Sequence, residues 1–484
     1  MALRVKVGRV EDMELMSSEP VSPTAQYFNS SVLSLSVIGI LEFENPFDDS
    51  SSLELINNVF LPINPRFSSI MVEDEEGGKH WKRVEVKAED HMIVPNFPKG
   101  LSLESYDNYF NDYLSKIATK RLPQTKPLWE VHIIKYPTSN ALGHVVFKLH
   151  HALGDGYSLM GALLSCLQRA DNPSLPLTFP NFQKSIKADI ESNKSLISVV
   201  PQALSGVINT VLDFGWSVLK TSILKDSQTP IRSGKEGVEF RPIDIMTMTF
   251  SLDQIKKIKC SLQVTVNDVV TGMIFLGTRL YMEEANDEDK NDHSNANVNA
   301  TALVLLNTRS IGGYKSVDEM VQKQEALKLW GNQCAFLHIP LPKLGQYDPS
   351  LNTLKFVQET HTVIDRKKNS AAVYLNGMLL ESLRKYRGPE ATAKYINSSL
   401  KNSSMAVTNL IGPLEKMALV DQPVKGLYFM VLNSPQSLTV TVMSYMDQLR
   451  VAVGTERGLI DSEKFRICIE KAFSMMFNAA AESK

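Results

Sequence analysis

Lys148-Leu149-His150-His151-Ala152-Leu153-Gly154-Asp155-Gly156 is the stretch on which the reading of this chain turns. Before it, His144 to His150 (HVVFKLH) has the β-branched and aromatic content of a strand. After it, Tyr157 to Arg169 (YSLMGALLSCLQR) has helical spacing. A strand thus delivers two histidines into a short turn that ends in Asp-Gly and opens a helix. Connections of this kind carry catalytic side chains on a rigid frame. The HxxxD spacing of His151 and Asp155 says little alone, because roughly one chain in two of this composition holds it by chance. His361 and Asp365 repeat it inside a helix-like stretch, where residues four apart merely share a face. The full HHxxxDG string is far rarer, about one in a few thousand by the same arithmetic. A neutral imidazole is the side chain best suited to take a proton from an alcohol at neutral pH. On chemistry alone, His151 is either such a base or a hydrogen-bonded structural histidine. Gly156-Tyr157-Ser158-Leu159-Met160 falls one glycine short of a GxSxG elbow, which argues against Ser158 as a nucleophile.

Outward from this turn, strands and helices mix along both halves. Val32 to Leu41, Trp81 to Val86 and Leu128 to Tyr136 read as strands, and Leu53 to Phe60 and Ser102 to Ala118 as helices. In the second half, Met246 to Phe250, Ala302 to Asn307, Cys334 to Ile339, Tyr428 to Leu432 and Ser437 to Met443 read as strands. Asn267 to Glu284, Ser350 to Lys367 and Ser462 to Asn478 read as helices. The mixture favours an α/β or α+β chain over a bundle or a sandwich. Asp171 to Asn181, with three prolines, is a linker, and residues 283–301, acidic and Asn-rich, are a solvated mobile loop.

The chain has 484 residues, enough for two domains or one large one. Lys plus Arg is 51 and Asp plus Glu is 53, a formal charge of −2, which leaves no basic footprint for nucleic acid. The four cysteines lie far apart, without a CxxC pair or zinc-like spacing, and read as reduced thiols. Dinucleotide-binding, P-loop, HExxH and EF-hand motifs are missing from the sequence. The first residues are charged throughout and lack the apolar core of a secretory signal.

His150-His151-Ala152-Leu153-Gly154-Asp155-Gly156 resembles the active-site motif of the bifunctional wax ester synthase/diacylglycerol acyltransferases. Further stretches resemble that family in order and spacing. They are Lys126-Pro127-Leu128-Trp129, Asn267-Asp268-Val269-Val270, Asn307-Thr308-Arg309, Gly331-Asn332-Gln333 and Asn409-Leu410-Ile411-Gly412-Pro413. The resemblance covers about residues 20–475 and is greatest to the plant branch.

It implies an α/β (α+β) fold of two chloramphenicol-acetyltransferase-like halves with the active site in a channel between them. Residues 1–180 would form the half carrying HHxxxDG, 181–240 a linker with an amphipathic helix, and 241–484 the second half. It implies direct transfer of a long-chain acyl group from acyl-CoA, the co-substrate, to a fatty alcohol or diacylglycerol, with no bound cofactor, metal or acyl-enzyme. His151 falls on the family's catalytic base. Asp155 would be structural and pair with Arg309 from the opposite half, and Gly156 closes the motif. Asn267 is the candidate oxyanion donor, or else the N-cap of the helix that follows. Two alternatives stay open. One is a soluble acyltransferase like the plant BAHD enzymes, since Asp213-Phe214-Gly215-Trp216 resembles their DFGWG signature, although here it follows closely on the histidine. The other is a lipid-binding relative without catalysis.

Ser195 to Leu212 carries no charge, but Ser198, Gln202, Ser205, Asn209 and then Asp213 make a polar stripe opposite Ile197, Val200, Leu204, Val207, Ile208 and Val211. An interfacial helix, a helix packed on the protein and a spanning helix are the three readings. The expected partner is a membrane surface met near residues 196–219. The expected location is the endoplasmic reticulum membrane with the active site facing the cytosol, and the plasma membrane is the second compartment.

Overall fold

The computed structural model describes residues 19–75, 78–180, 210, 212–288, 298–307, 317, 330–344 and 349–482. Ser36–Phe43 (SVIGILEF) is buried along its whole length, Glu42 included, and is a central strand of a seven-stranded sheet, as the apolar run Val37 to Leu41 favours. It lies between Gly143–His150 and Gln422–Leu432, antiparallel to both. Trp129–Ile134 and Met92–Ile93 extend one side of this sheet, and Met417–Leu419 and Gln168–Arg169 the other. The helix Gly156–Ser165 packs over Ser36–Phe43 at Gly39, where a β-carbon would stand 3.0 Å from Leu163 Cδ2.

A second, six-stranded sheet runs Cys334–Pro340, Thr301–Asn307, Met405–Ile411, Leu438–Tyr445, Gln448–Glu456 and Ile243–Ser251. Met405–Ile411 is parallel to both of its neighbours and the other pairs are antiparallel. The helices Leu252–Leu262, Val266–Glu288, Pro349–Lys368 and Ser462–Glu482 share one large apolar core with this sheet. A three-stranded sheet of Glu19–Pro20, Lys79–Arg83 and Ser69–Glu73 completes the first half.

The two large sheets meet where Gln422–Leu432 packs on Leu438–Tyr445 and Gln448–Glu456. The Tyr445 hydroxyl donates to the Val424 carbonyl (3.0 Å) and accepts from the Met417 N–H (2.9 Å). Arg450 of the second sheet pairs with Glu42 of the first, beneath Tyr428. The expected second half, 241–484, therefore supplies two strands, Met417–Leu419 and Gln422–Leu432, to the sheet of the first.

Other boundaries also move. The helix read over 157–169 ends at Ser165, and Gln168–Arg169 is a short strand against Met417–Leu419. The acidic stretch expected as a loop from residue 283 is helical through Glu288, and residues 289–297 lie outside the described part.

Most of the charge-poor stretch, residues 195–209 and 211, is also outside it, but residues 212–222 are helical. Of the expected polar stripe only Asp213 is among the described residues, and its side chain faces the protein. Asp213 accepts from Lys367 Nζ (2.9 Å) and Arg366 Nη2 (3.2 Å), and Ser217 bonds to His338 (3.2 Å) and to Asn376 (3.1 Å). Leu212, Trp216, Leu219, Ile223 and Leu224 are the exposed side. Among the described residues no single helix is long and apolar enough to cross a membrane. One pair, Leu252–Leu262 with Val266–Asn286, would reach that length only across a 98° bend, and both of its members are core helices here.

Candidate active site

The strand Gly143–His150 is fastened from below. Lys148 is fully buried and its ammonium donates to the carbonyls of Ile117 (2.7 Å) and Lys120 at the end of the helix Leu103–Thr119, where a cation complements the free carbonyls. Burial lowers its pKa to about 8, while Glu130 opposes that shift. The strand ends with two histidines of opposite fate.

His150 is fully enclosed. Its Nδ1 accepts the Ala152 N–H (3.1 Å), so its hydrogen is on Nε2, which lies 3.0 Å from Ser34 Oγ. Burial pushes its pKa down to about 3, and it is a neutral strut of the turn.

His151 is held by its backbone, whose N–H donates to Leu35 O (2.9 Å), and by the Phe28 ring, 4.6 Å away centre to centre. Its Nδ1 lies 2.8 Å from Oδ1 of Asn332, and Asn332 Nδ2 donates to the carbonyl of His151 itself (2.9 Å). Burial lowers the His151 pKa, with Asp155, Asn332 and a hydrogen bond to the residue's own backbone opposing that shift, so the ring is neutral at neutral pH. A buried neutral imidazole at the junction of two halves can accept a proton from a bound hydroxyl.

Asp155 does not orient this ring. It caps the helix Gly156–Ser165: Oδ1 accepts the Ser158 N–H (3.0 Å) and Oδ2 the Gln333 N–H (2.9 Å). Its expected partner Arg309 lies outside the described residues. Ser158 belongs to the first turn of that helix and exchanges two 3.2 Å hydrogen bonds with the Gly331 backbone, a structural role far from that of a nucleophile.

Gly156 opens the helix opposite Leu410, where a β-carbon would sit at an ordinary 3.5 Å from Cδ1. The tighter glycine is Gly154, whose β-carbon would stand 2.8 Å from that of Ser158.

Residues 330–333 are the part that sequence reasoning left without a role. Trp330 Nε1 donates to Leu153 O (2.8 Å), a carbonyl that Arg66 also reaches (3.4 Å). Gly331 engages Ser158, Asn332 engages His151 and Gln333 engages Asp155. The segment leads into an edge strand of the second sheet, so the turn that carries His151 is held from the opposite half. The only signal in the sequence was the Gly331-Asn332-Gln333 stretch itself.

Asn267 is not the cap of its helix. Thr265 is: its Oγ1 accepts the Asp268 N–H (3.2 Å), and the Asp268 carboxylate accepts both the N–H (2.9 Å) and the hydroxyl (2.7 Å) of Thr265. His361, on the same helix as Asp365, also bonds to Asp268 (2.9 Å). Asn267 accepts at Oδ1 from Asn409 Nδ2 (3.1 Å), one residue before the Leu410 that faces Gly156. Asp213 to Trp216, the other signature-like run, lies on the helix with its carboxylate ion-paired to Lys367. Among the described residues no group of three or more His, Cys, Asp or Glu side chains is arranged to hold a metal.

The wax ester synthase/diacylglycerol acyltransferase catalytic domain matches residues 106–270 of this chain, and the C-terminal domain of the same family matches residues 330–477. Wax ester synthase/diacylglycerol acyltransferase 6 of Arabidopsis thaliana is 30% identical over 481 residues, 94% of this chain and 92% of that one. Wax ester synthase/diacylglycerol acyltransferase 4 of the same plant is 29% identical, over 97% and 92% of the two chains. Among solved structures, the wax ester synthase/diacylglycerol acyltransferase of Marinobacter aquaeolei VT8 superposes with a TM-score of 0.59 at 15% identity, covering 96% of this chain and 100% of that one. The starter condensation domain of rhizomide synthetase, in complex with C8-CoA and Leu-SNAC, superposes with a TM-score of 0.51 at 11% identity, over 98% and 97%. These two likenesses establish the two-half acyltransferase and condensation-domain fold.

Proposed function

Because this chain belongs to the wax ester synthase/diacylglycerol acyltransferase family, and so to the acyltransferases, we propose that it moves a long-chain acyl group from acyl-CoA directly to a fatty alcohol or diacylglycerol, with His151 as the base. Nε2 of His151 takes the hydroxyl proton as the alcohol oxygen attacks the thioester carbon. The C–S bond then breaks, an ester forms, and the proton passes to the departing CoA thiolate. A positioned base contributes about 10²–10⁴ in rate. The developing oxyanion needs a donor. Asn267, with its oxygen taken up by Asn409, has its NH2 end to offer. The observation that carries this reading is the neutral, buried His151 clamped between the two halves.

The test is purified protein with palmitoyl-CoA and either hexadecanol or dioleoylglycerol, singly and in competition, read as CoA release and as labelled wax ester or triacylglycerol. His151→Ala should lose ester formation while remaining folded, and His150→Ala should retain part of it. Near-normal activity in His151→Ala would overturn the mechanism. An acyl adduct on the protein after incubation without acceptor would overturn direct transfer.

We further place the enzyme on a membrane surface, on the cytosolic face of the endoplasmic reticulum or plasma membrane, where both lipid substrates reside. The support is the helix at residues 212–222 and the two residues after it: Asp213 and Ser217 are spent on the protein, and Leu212, Trp216, Leu219, Ile223 and Leu224 face out. An apolar face with an aromatic residue suits the lipid interface. Leu219→Asp with Ile223→Asp should abolish sedimentation with phospholipid vesicles. Unchanged sedimentation would exclude this face as the contact, and fluorescent fusions would decide between the two membranes.

A further inference from the structure

Asn332 makes two hydrogen bonds to a single residue, and together they fix more than a position. The His151 carbonyl can only accept, so the amide must present its NH2 group there, at 2.9 Å. That orientation places Oδ1 on the ring, 2.8 Å from Nδ1. An amide oxygen can also only accept, so the ring nitrogen facing it must carry a hydrogen. A neutral imidazole has one such hydrogen, which leaves Nε2 bare.

We infer that Asn332 is a positioning residue of the reaction: together with the ring's hydrogen bond to its own backbone, it holds the His151 tautomer whose Nε2 lone pair receives the hydroxyl proton. The inference rests on the assignment of His151 as base. The wrong tautomer is costly in such arrangements; in the serine protease triad, about 10⁴ in kcat separates a partner that holds the right tautomer from one that does not.

The chemical type of the partner matters as well. A carboxylate beside Nδ1 would stabilise the imidazolium and raise the ring's pKa. A carboxamide orients the ring without a full negative charge. The titratable groups nearest in the turn are His150, neutral and enclosed, and Asp155, whose two oxygens bond to the Ser158 and Gln333 N–H groups. Arg66 reaches the turn at the Leu153 carbonyl, and the Phe28 ring covers His151 from the first half. The base therefore stays free of a proton to lower pH than a carboxylate-paired histidine would.

The Asn332 side chain can be removed without releasing its segment, because Trp330, Gly331 and Gln333 each hold the turn independently. The experiment is the pH dependence of kcat and kcat/KM for Asn332→Ala and Asn332→Asp, with His151→Ala as control. Asn332→Ala should lower kcat at least about 10²-fold with little change in the KM for acyl-CoA. Asn332→Asp should recover part of that loss and move the acidic limb of kcat/KM upward by about one pH unit or more. A structural role alone would give equal losses in both variants and leave the limb in place, and that result overturns the inference. Nitrogen-15 spectra of the histidine-labelled wild-type chain, with the His151 signal assigned by its loss in His151→Ala, give a reading independent of the variants' folding. Hydrogen on Nδ1 and a bare Nε2 are expected, and the opposite tautomer overturns the assignment to Asn332. An inactive His151→Ala beside a fully active Asn332→Ala would remove the positioning role and leave the base in place, whereas an active His151→Ala would remove both.

Discussion

Gly154 and Gly156 stand two positions apart in one motif and answer to different constraints. A side chain at Gly154 collides with Ser158, while one at Gly156 meets Leu410 at normal contact distance. Gly154→Ala should therefore cost about 1–3 kcal/mol of stability, the usual range for overpacking. Gly156→Ala should melt within a few degrees of wild type. Activity is the informative reading for Gly156: lost activity at unchanged melting temperature would mean that the space before Leu410 is used by substrate, and equal destabilisation of the two variants would contradict the steric distinction. His151 and Asp155 stood out in the sequence because the string around them is improbable and sits at a strand-to-helix turn. Asn332 carries no such mark. Its partner is 181 residues away in the chain, a separation on which periodicity and spacing are silent.

At the level of elements, the ion pair between Glu42 and Arg450 ties a central strand of one sheet to the second sheet, and both side chains are largely buried. Gly426 lies beside it at a register shift, where a β-carbon would overlap the Glu42 carboxylate. Removing one member of a buried pair costs about 3–5 kcal/mol, because the other charge is left without compensation. Arg450→Ala should fall in that range by urea denaturation, and Glu42→Leu with Arg450→Met should recover much of the loss. A fully additive double variant would show that the two residues do not act as a pair. The same pair explains why Gln448–Glu456 was hard to read as a strand. Arg450 interrupts its apolar pattern and Glu456 ends it, yet each is satisfied inside the fold, Arg450 by the Glu42 carboxylate and Glu456 by the Arg241 guanidinium and the hydroxyls of Ser233 and Ser437. Met405–Ile411 was missed for a related reason, since Thr408 and Asn409 break an otherwise apolar run. The helix Ala372–Lys401 was hidden by Gly388-Pro389, a turn signal that here marks a kink, with Gly388 at φ 82°. Strands whose β-branched and aromatic residues dominate, such as Gly143–His150, were legible to within a residue or two.

For the molecule as a whole, several histidines are folded into places that exclude their charged form. Burial lowers His144, His150 and His338 to about 3. In the unfolded chain each would take up its proton near the ordinary value of about 6.5. Between those values the unfolded state binds more protons, so stability is complete above about pH 7 and falls as pH drops, by up to about 1.4 kcal/mol per unit for each histidine. Burial acts in this window well before the lowered carboxyl groups of Glu130 and Glu456 begin to protonate. The melting temperature should decline steadily from pH 7 to pH 5, and a flat profile over that range would contradict neutral burial of these rings. The strand Gln422–Leu432 carries a different consequence, one that belongs to synthesis. It pairs with Ser36–Phe43, yet is translated almost four hundred residues later. At about 5–20 residues per second, one edge of Ser36–Phe43 emerges and waits on the order of tens of seconds for its neighbour. Throughout that interval the nascent chain presents an unpaired apolar strand, the structure most prone to adhere to other chains. The halves cannot mature one after the other at the ribosome. That edge of the first half must be sheltered until residue 432 has been made.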